Sequence, residues 1–100
     1  MPNLVVSINH SLPQDEALRR IQVTVEQVRT QYSDKIDDLQ QTWNGYVGIL
    51  QLSARGYQTK GTVTVNPSDV TVQTTLPFIA SLFQSTIEAT MRNELAKILG

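Results

Sequence analysis

The stretch "WNGYVGILQLSARGYQTKGTVTVNPSDV", residues 43–70, decides the fold. Its apolar residues recur at every second position, the period of a half-buried strand, and three turn signals divide it into hairpins. Asn44-Gly45 is a two-residue hairpin signal because both positions tolerate positive φ. Read as a tight turn, it sets Trp43 opposite Tyr46 and Leu39 opposite Leu50. Arg55-Gly56 does the same further on, pairing Ala54 with Tyr57 and Leu52 with Thr59. In "NPSD", Pro67 suits the second position of a type I turn, which pairs Val65 with Val70. The three turns are read separately, yet they select one face: Leu39, Trp43, Tyr46, Leu50, Leu52, Tyr57, Val63, Val65, Val70, Val72 and Leu76. Gln40, Thr42, Gln51, Ser53, Gln58, Lys60, Thr62, Thr64, Thr71 and Gln73 take the other. One apolar face and one wet face predict an antiparallel sheet covered on one side.

Toward the N-terminus the period lengthens. Leu18, Ile21, Val25, Val28 and Tyr32 are spaced three and four apart, which predicts a helix that starts near residue 12 and is broken by "YSDKIDD". Ser11 with Gln14 three residues later has the capping-box pattern. Pro13 lies where a missing N–H costs nothing, and Asp15 and Glu16 meet the positive end of the helix dipole. The β-branched run "LVVSI", residues 4–8, predicts a strand, whose neighbour the pattern leaves open between the second strand and the fifth. Toward the C-terminus, "LPFIASLFQSTIEATMRNELAKILG" has a helical stripe of Ile79 or Ala80, Phe83, Ile87, Met91, Leu95 and Ile98, widened by Leu82 and Leu99.

The order β-α-β-β-β-β-α implies one α+β domain over residues 1–100. Two helices cover the apolar face of a five-stranded, mainly antiparallel, curved sheet in a two-layer architecture. The order resembles the TATA-binding-protein-like and helix-grip arrangements, and fold likeness alone carries no function.

Eight Lys or Arg against nine Asp or Glu leave a formal net charge of -1. No long-range field steers a nucleic-acid backbone or an anionic membrane, so nonspecific nucleic-acid binding is disfavoured, which leaves open a local patch. With no cysteine, disulfides, thiolate chemistry and sulfur-built zinc sites are excluded. "MPNLVVSINH" has no positive n-region and is not read as a signal peptide. No run approaches the ~20 apolar residues of a transmembrane segment. A cytoplasmic protein is expected.

His10 is the only histidine. A general base needs a group to act on and an acid to orient it, and no nucleophile motif accompanies it. It reads as a junction residue beside a Ser11 cap. One histidine without cysteine leaves only carboxylates for a metal, and the adjacent Asp37 and Asp38 point to opposite sides of a strand. Neither phosphate-loop spacing occurs, and Arg19-Arg20 reads as a solvated helix face. No catalytic residue, metal or cofactor is expected, and the chain is not read as an enzyme. Two binding surfaces remain as candidates. Val47 and Ile49 put aliphatic groups on the polar, low-charge sheet face, a surface for self-association into a homodimer that Val47→Lys would break. Gly48 and Gly61 fall on the apolar face, where a missing side chain often marks a bend, as in a sheet that curls around a helix, or a close approach. With Phe83 and Met91 they outline room for a small apolar ligand between the sheet and the last helix.

Three segments carry a family resemblance. "NHSLPQDEALRRI", "WNGYVG", and "GTVTVNPSDVTVQTTLPF" leading into "IEATMRNELAKIL" resemble the polyhydroxyalkanoic acid system proteins along nearly the whole chain. The resemblance implies a small non-enzymatic bacterial protein associated with polyhydroxyalkanoate storage granules, with granule proteins or the polyester surface as partners. It brings no catalytic residue to carry over to His10.

Overall fold

Side chains that alternate between buried and exposed along each strand give the sheet its two faces. The computed structural model describes residues 3–76, 80 and 82–100. Its strands are β1 (Asn3–Asn9), β2 (Asp38–Asn44), β3 (Val47–Ala54), β4 (Tyr57–Val65) and β5 (Asp69–Thr75). They form one five-stranded sheet in the order β1-β5-β4-β3-β2, and every neighbouring pair is antiparallel. The first strand therefore pairs with the fifth, Val6 opposite Val72 and Ile8 opposite Val70. Helices α1 (Gln14–Gln31) and α2 (Gln84–Leu99) complete the expected α+β order. Both lie on the apolar face. Leu4, Val6, Val63, Val65 and Val70 meet Ala17 and Ile21 of α1 and Leu95 and Leu99 of α2 in one core.

Two of the three hairpin registers stand as read. Arg55 and Gly56 have φ of 51° and 82°, the type I′ combination, and Ala54 pairs with Tyr57. Val65 pairs with Val70. The first hairpin differs by two residues, with Asn44 opposite Val47 and Leu39 opposite Leu52. The turn residues are Gly45 and Tyr46, and only Gly45 has positive φ, at 62°. Glycine at the first central position is what a type II′ turn requires. A slip of two keeps every side chain on its face. It also frees Tyr46 to tie the turn down: its hydroxyl donates to Asp15 on α1, and its carbonyl accepts the Val65 N–H at 2.8 Å. The Asp15 bond raises the Tyr46 phenol above its usual range.

Helix α1 begins at Gln14, two residues later than expected, with Pro13 at its N-cap and no side-chain cap. The capping box does not form, because Gln14 reaches away from the helix to donate to the Val65 carbonyl at 2.9 Å. Arg20 is not a solvated face residue either. Its guanidinium donates to the carbonyls of Ile98 and Gly100, each at 3.1 Å, placing a cation at the negative end of α2. Arg19 stays exposed on Glu16, and Arg19 and Arg20 together hold the Glu16 carboxyl at about 2. In the last segment, part of the expected helix, Ile79 included, lies outside the described residues. Phe83 sits just before α2 and is 60% exposed, with Leu82 at 73%. Ala80, of the expected stripe, is helical and packs against the core, but the chain turns at residues 82–83 before α2, so neither Leu82 nor Phe83 joins the core.

Candidate functional site

The strand-to-helix junction uses its histidine to hold backbone groups together. The His10 Nδ1 accepts the Leu12 N–H at 3.1 Å, and Nε2 donates to the Asn66 carbonyl at 3.0 Å. This pair of bonds sets the Nε2–H tautomer. The His10 N–H adds a bond to the Ser68 carbonyl at 2.8 Å. His10 thus clips the start of α1 to the β4–β5 turn, with both ring nitrogens committed to backbone. Asp37 has a comparable local role, accepting the Arg55 N–H in the β3–β4 turn at 3.0 Å.

The four residues of the sequence-derived ligand site do not come together. Gly48 lies under the Trp43 ring: a Cβ added there would stand 2.7 Å from indole carbons. The space left by that glycine is filled from β2. A Cβ on Gly61 would come within 3.3 Å of the Gln73 carbonyl oxygen. Phe83 is outside α2 and exposed. Of the four, Met91 alone lines an apolar cleft of about 220 Å³, with Ile21 and Val25 of α1, Leu50 and Val63 of the sheet and Leu95 of α2. A second apolar cleft of about 320 Å³ adjoins it through Val25 and Leu50 and lies beside Val28, Tyr32 and Leu39.

The opposite side of the sheet carries neither α1 nor α2. Its registers align side chains into rows that cross the strands. One row runs Thr42, Ile49, Thr62, Gln73 and Val5, and the next runs Asn44, Val47, Thr64, Thr71 and Ser7. Neither row contains a charge. Val47 and Ile49 are each 42% exposed and Val5 is 51% exposed. In these rows Ser7 and Thr71 hydroxyls bond each other at 2.8 Å. A third row brings Gln40, Gln51 and Lys60 together, with Lys60 its only cation. Period-two reading places Val47 and Ile49 on this face but leaves out Val5 and Ser7. The same alternation marks them, since Leu4 and Val6 point inward, yet only the β1–β5 register joins them to the rows.

Among the described residues no group of three or more His, Cys, Asp or Glu side chains is placed to hold a metal. No described helix is long and apolar enough to cross a membrane. Against known proteins, the family model described as "polyhydroxyalkanoic acid system protein" matches residues 4–99. No curated protein and no solved structure matches the chain.

Proposed function

The chain belongs to the polyhydroxyalkanoic acid system protein family, and on that premise we propose that it is a non-enzymatic protein that lies against the polyester of a storage granule. The observation that carries this reading is the pair of adjacent uncharged rows on the sheet face that carries neither α1 nor α2. A polyhydroxyalkanoate chain presents ester carbonyls, which only accept hydrogen bonds, and alkyl groups; it has no charge. Thr42, Thr62 and Thr64 offer hydroxyl donors and methyl groups, the bonded Ser7–Thr71 pair offers one further hydroxyl donor, and Gln73 offers an amide donor. Val5, Val47 and Ile49 add aliphatic contact. Such a face exchanges water for ester carbonyls and alkyl groups without burying an ion, the step that would oppose contact most.

The non-enzymatic part is supported by His10, whose ring nitrogens are both engaged with backbone. On this reading the chain works in the cytoplasm at the granule surface. Co-sedimentation with protein-free polyester particles tests it. The wild-type chain is expected in the pellet. The pair Val47→Lys and Ile49→Lys is expected to lower the bound fraction at least tenfold, and His10→Ala to leave binding unchanged. A wild-type chain that stays in the supernatant overturns polyester contact. Sedimentation only with granules that retain their proteins would instead assign a protein partner.

A further inference from the structure

The two edges of the sheet are finished differently. Along β1, α2 packs close and Arg92 donates to the Ser7 carbonyl at 3.1 Å. The β2 edge, "DLQQTWN", contains no Pro and no Lys, and its one charge is Asp38 at the start. Among the described residues it has, beyond Asp38, none of the usual devices that blunt a strand edge.

The backbone direction of this edge follows from the turn. A two-residue turn makes Asn44 and Val47 a hydrogen-bonded pair, and such pairs alternate along an antiparallel ladder. Thr42 and Gln40 therefore bond to β3, and Leu39, Gln41 and Trp43 aim their N–H and C=O groups outward. The Val65 N–H bond to the Tyr46 carbonyl shows the same alternation on the other side of β3.

We propose that β2 pairs antiparallel with β2 of a second copy of this chain, about a two-fold axis at Gln41, to make a continuous ten-stranded sheet. The sequence of the edge is self-complementary in that register. On the apolar face Leu39 lies opposite Trp43 of the second copy, an aliphatic–aromatic cross-strand pair of the stabilising kind. On the outer face Gln40 meets Thr42, and Asp38 meets Asn44, so no like charges are opposed. At the axis Gln41 meets its own copy, and its amide donates to the Gln22 carbonyl and to Glu26 of α1.

A second observation fits the same occupant. Between α1 and the β2 edge runs a groove of about 740 Å³ lined by Gln22, Val23, Glu26, Gln27, Thr30 and Gln41. Val23 is 42% exposed there, an apolar residue on the flank that a two-fold at Gln41 brings against α1 of the second copy. Glu26 is paired with Arg29 at 3.4 Å, which reduces carboxylate repulsion across the axis. This interface differs from the self-association on Val47 and Ile49 expected from sequence. It leaves those residues free, and because the axis is perpendicular to the sheet it sets both uncovered faces side by side. It stands independently of the polyester reading.

Sedimentation equilibrium at tens of micromolar tests it. The wild-type chain is expected at twice the chain mass. Gln40→Lys with Thr42→Lys places like charges opposite each other at two points and is expected to halve the mass, as is Gln40→Glu with Thr42→Glu. Mixing the two double variants is expected to restore the dimer mass, with unfolding temperatures close to wild type throughout. Val47→Lys is expected to remain dimeric. A wild-type chain at the monomer mass overturns the proposal. So does a dimer unmoved by either double variant, a mixture that stays monomeric, or a dimer lost in Val47→Lys.

Discussion

His10 shows how a residue type that invites a catalytic reading is bound into the fold. Its ring accepts from Leu12 and donates to Asn66, so it joins two turns that are remote in sequence. A net hydrogen bond contributes about 1 kcal/mol, so His10→Ala is expected to destabilise the fold by roughly 1–2 kcal/mol on that scale. Each kcal/mol lowers Tm by roughly 4–8 °C in a domain of this size. Thermal unfolding followed by circular dichroism measures it, and an unchanged Tm would remove the clip from the account. Sequence placed His10 at a strand-to-helix junction, which is where it sits. Its bonds were not legible, because the acceptor Asn66 lies 56 positions away. A separation of 51 positions likewise hides the fate of the Ser11 pattern: the local cap is lost because the Gln14 amide has its partner at Val65.

At the scale of the element, the first hairpin turns on one glycine and one indole. Gly48 stands opposite Trp43, and the ring occupies the place of the missing side chain. Gly48→Ala puts a methyl group 2.7 Å from the indole, an overpacking expected to cost roughly 1–3 kcal/mol. In a Trp43→Ala background the same substitution is expected to cost far less. Chemical denaturation of the four proteins in this double-mutant cycle gives the coupling, and additive effects would contradict the packing of ring on glycine. Period-two alternation could not distinguish this register from one two residues shorter, since both place Trp43, Leu50 and Leu52 inward. The choice lies in turn chemistry, where Gly45 alone takes positive φ and Tyr46 gains partners on α1 and β4. The later hairpins were legible because Arg55-Gly56 and Pro67 each admit one economical turn. Phe83 falls off the stripe for a plainer reason: a helical stripe drawn on sequence does not mark where the chain turns, here at residues 82–83 between helical Ala80 and α2.

The whole molecule is asymmetric about its sheet. Both helices and the core occupy one side, and uncharged rows of Thr, Gln, Val and Ile occupy the other. That polar face was largely legible, because alternation fixes which side chains share it once one face is buried. Its extent was not: Val5 and Ser7 join it only through the pairing of β1 with β5, a contact between the two ends of the chain. The four residues of the apolar-pocket reading are not brought together for a related reason. Gly48 and Gly61 follow the strand period and Phe83 and Met91 the helical one, but side chains from other strands decide whether a glycine leaves space.

The absence of cysteine makes the most direct measurement simple, because one introduced thiol carries one polarity-sensitive dye. Gln73→Cys places the dye in the central uncharged row of the sheet face, and Asn93→Cys places it on the exposed side of α2. On adding protein-free polyester particles, contact through this face is expected to give a blue shift and increased emission from the dye at position 73, with the dye at position 93 unchanged. A shift at position 93 alone, or at neither position, would contradict contact through the uncovered face of the sheet.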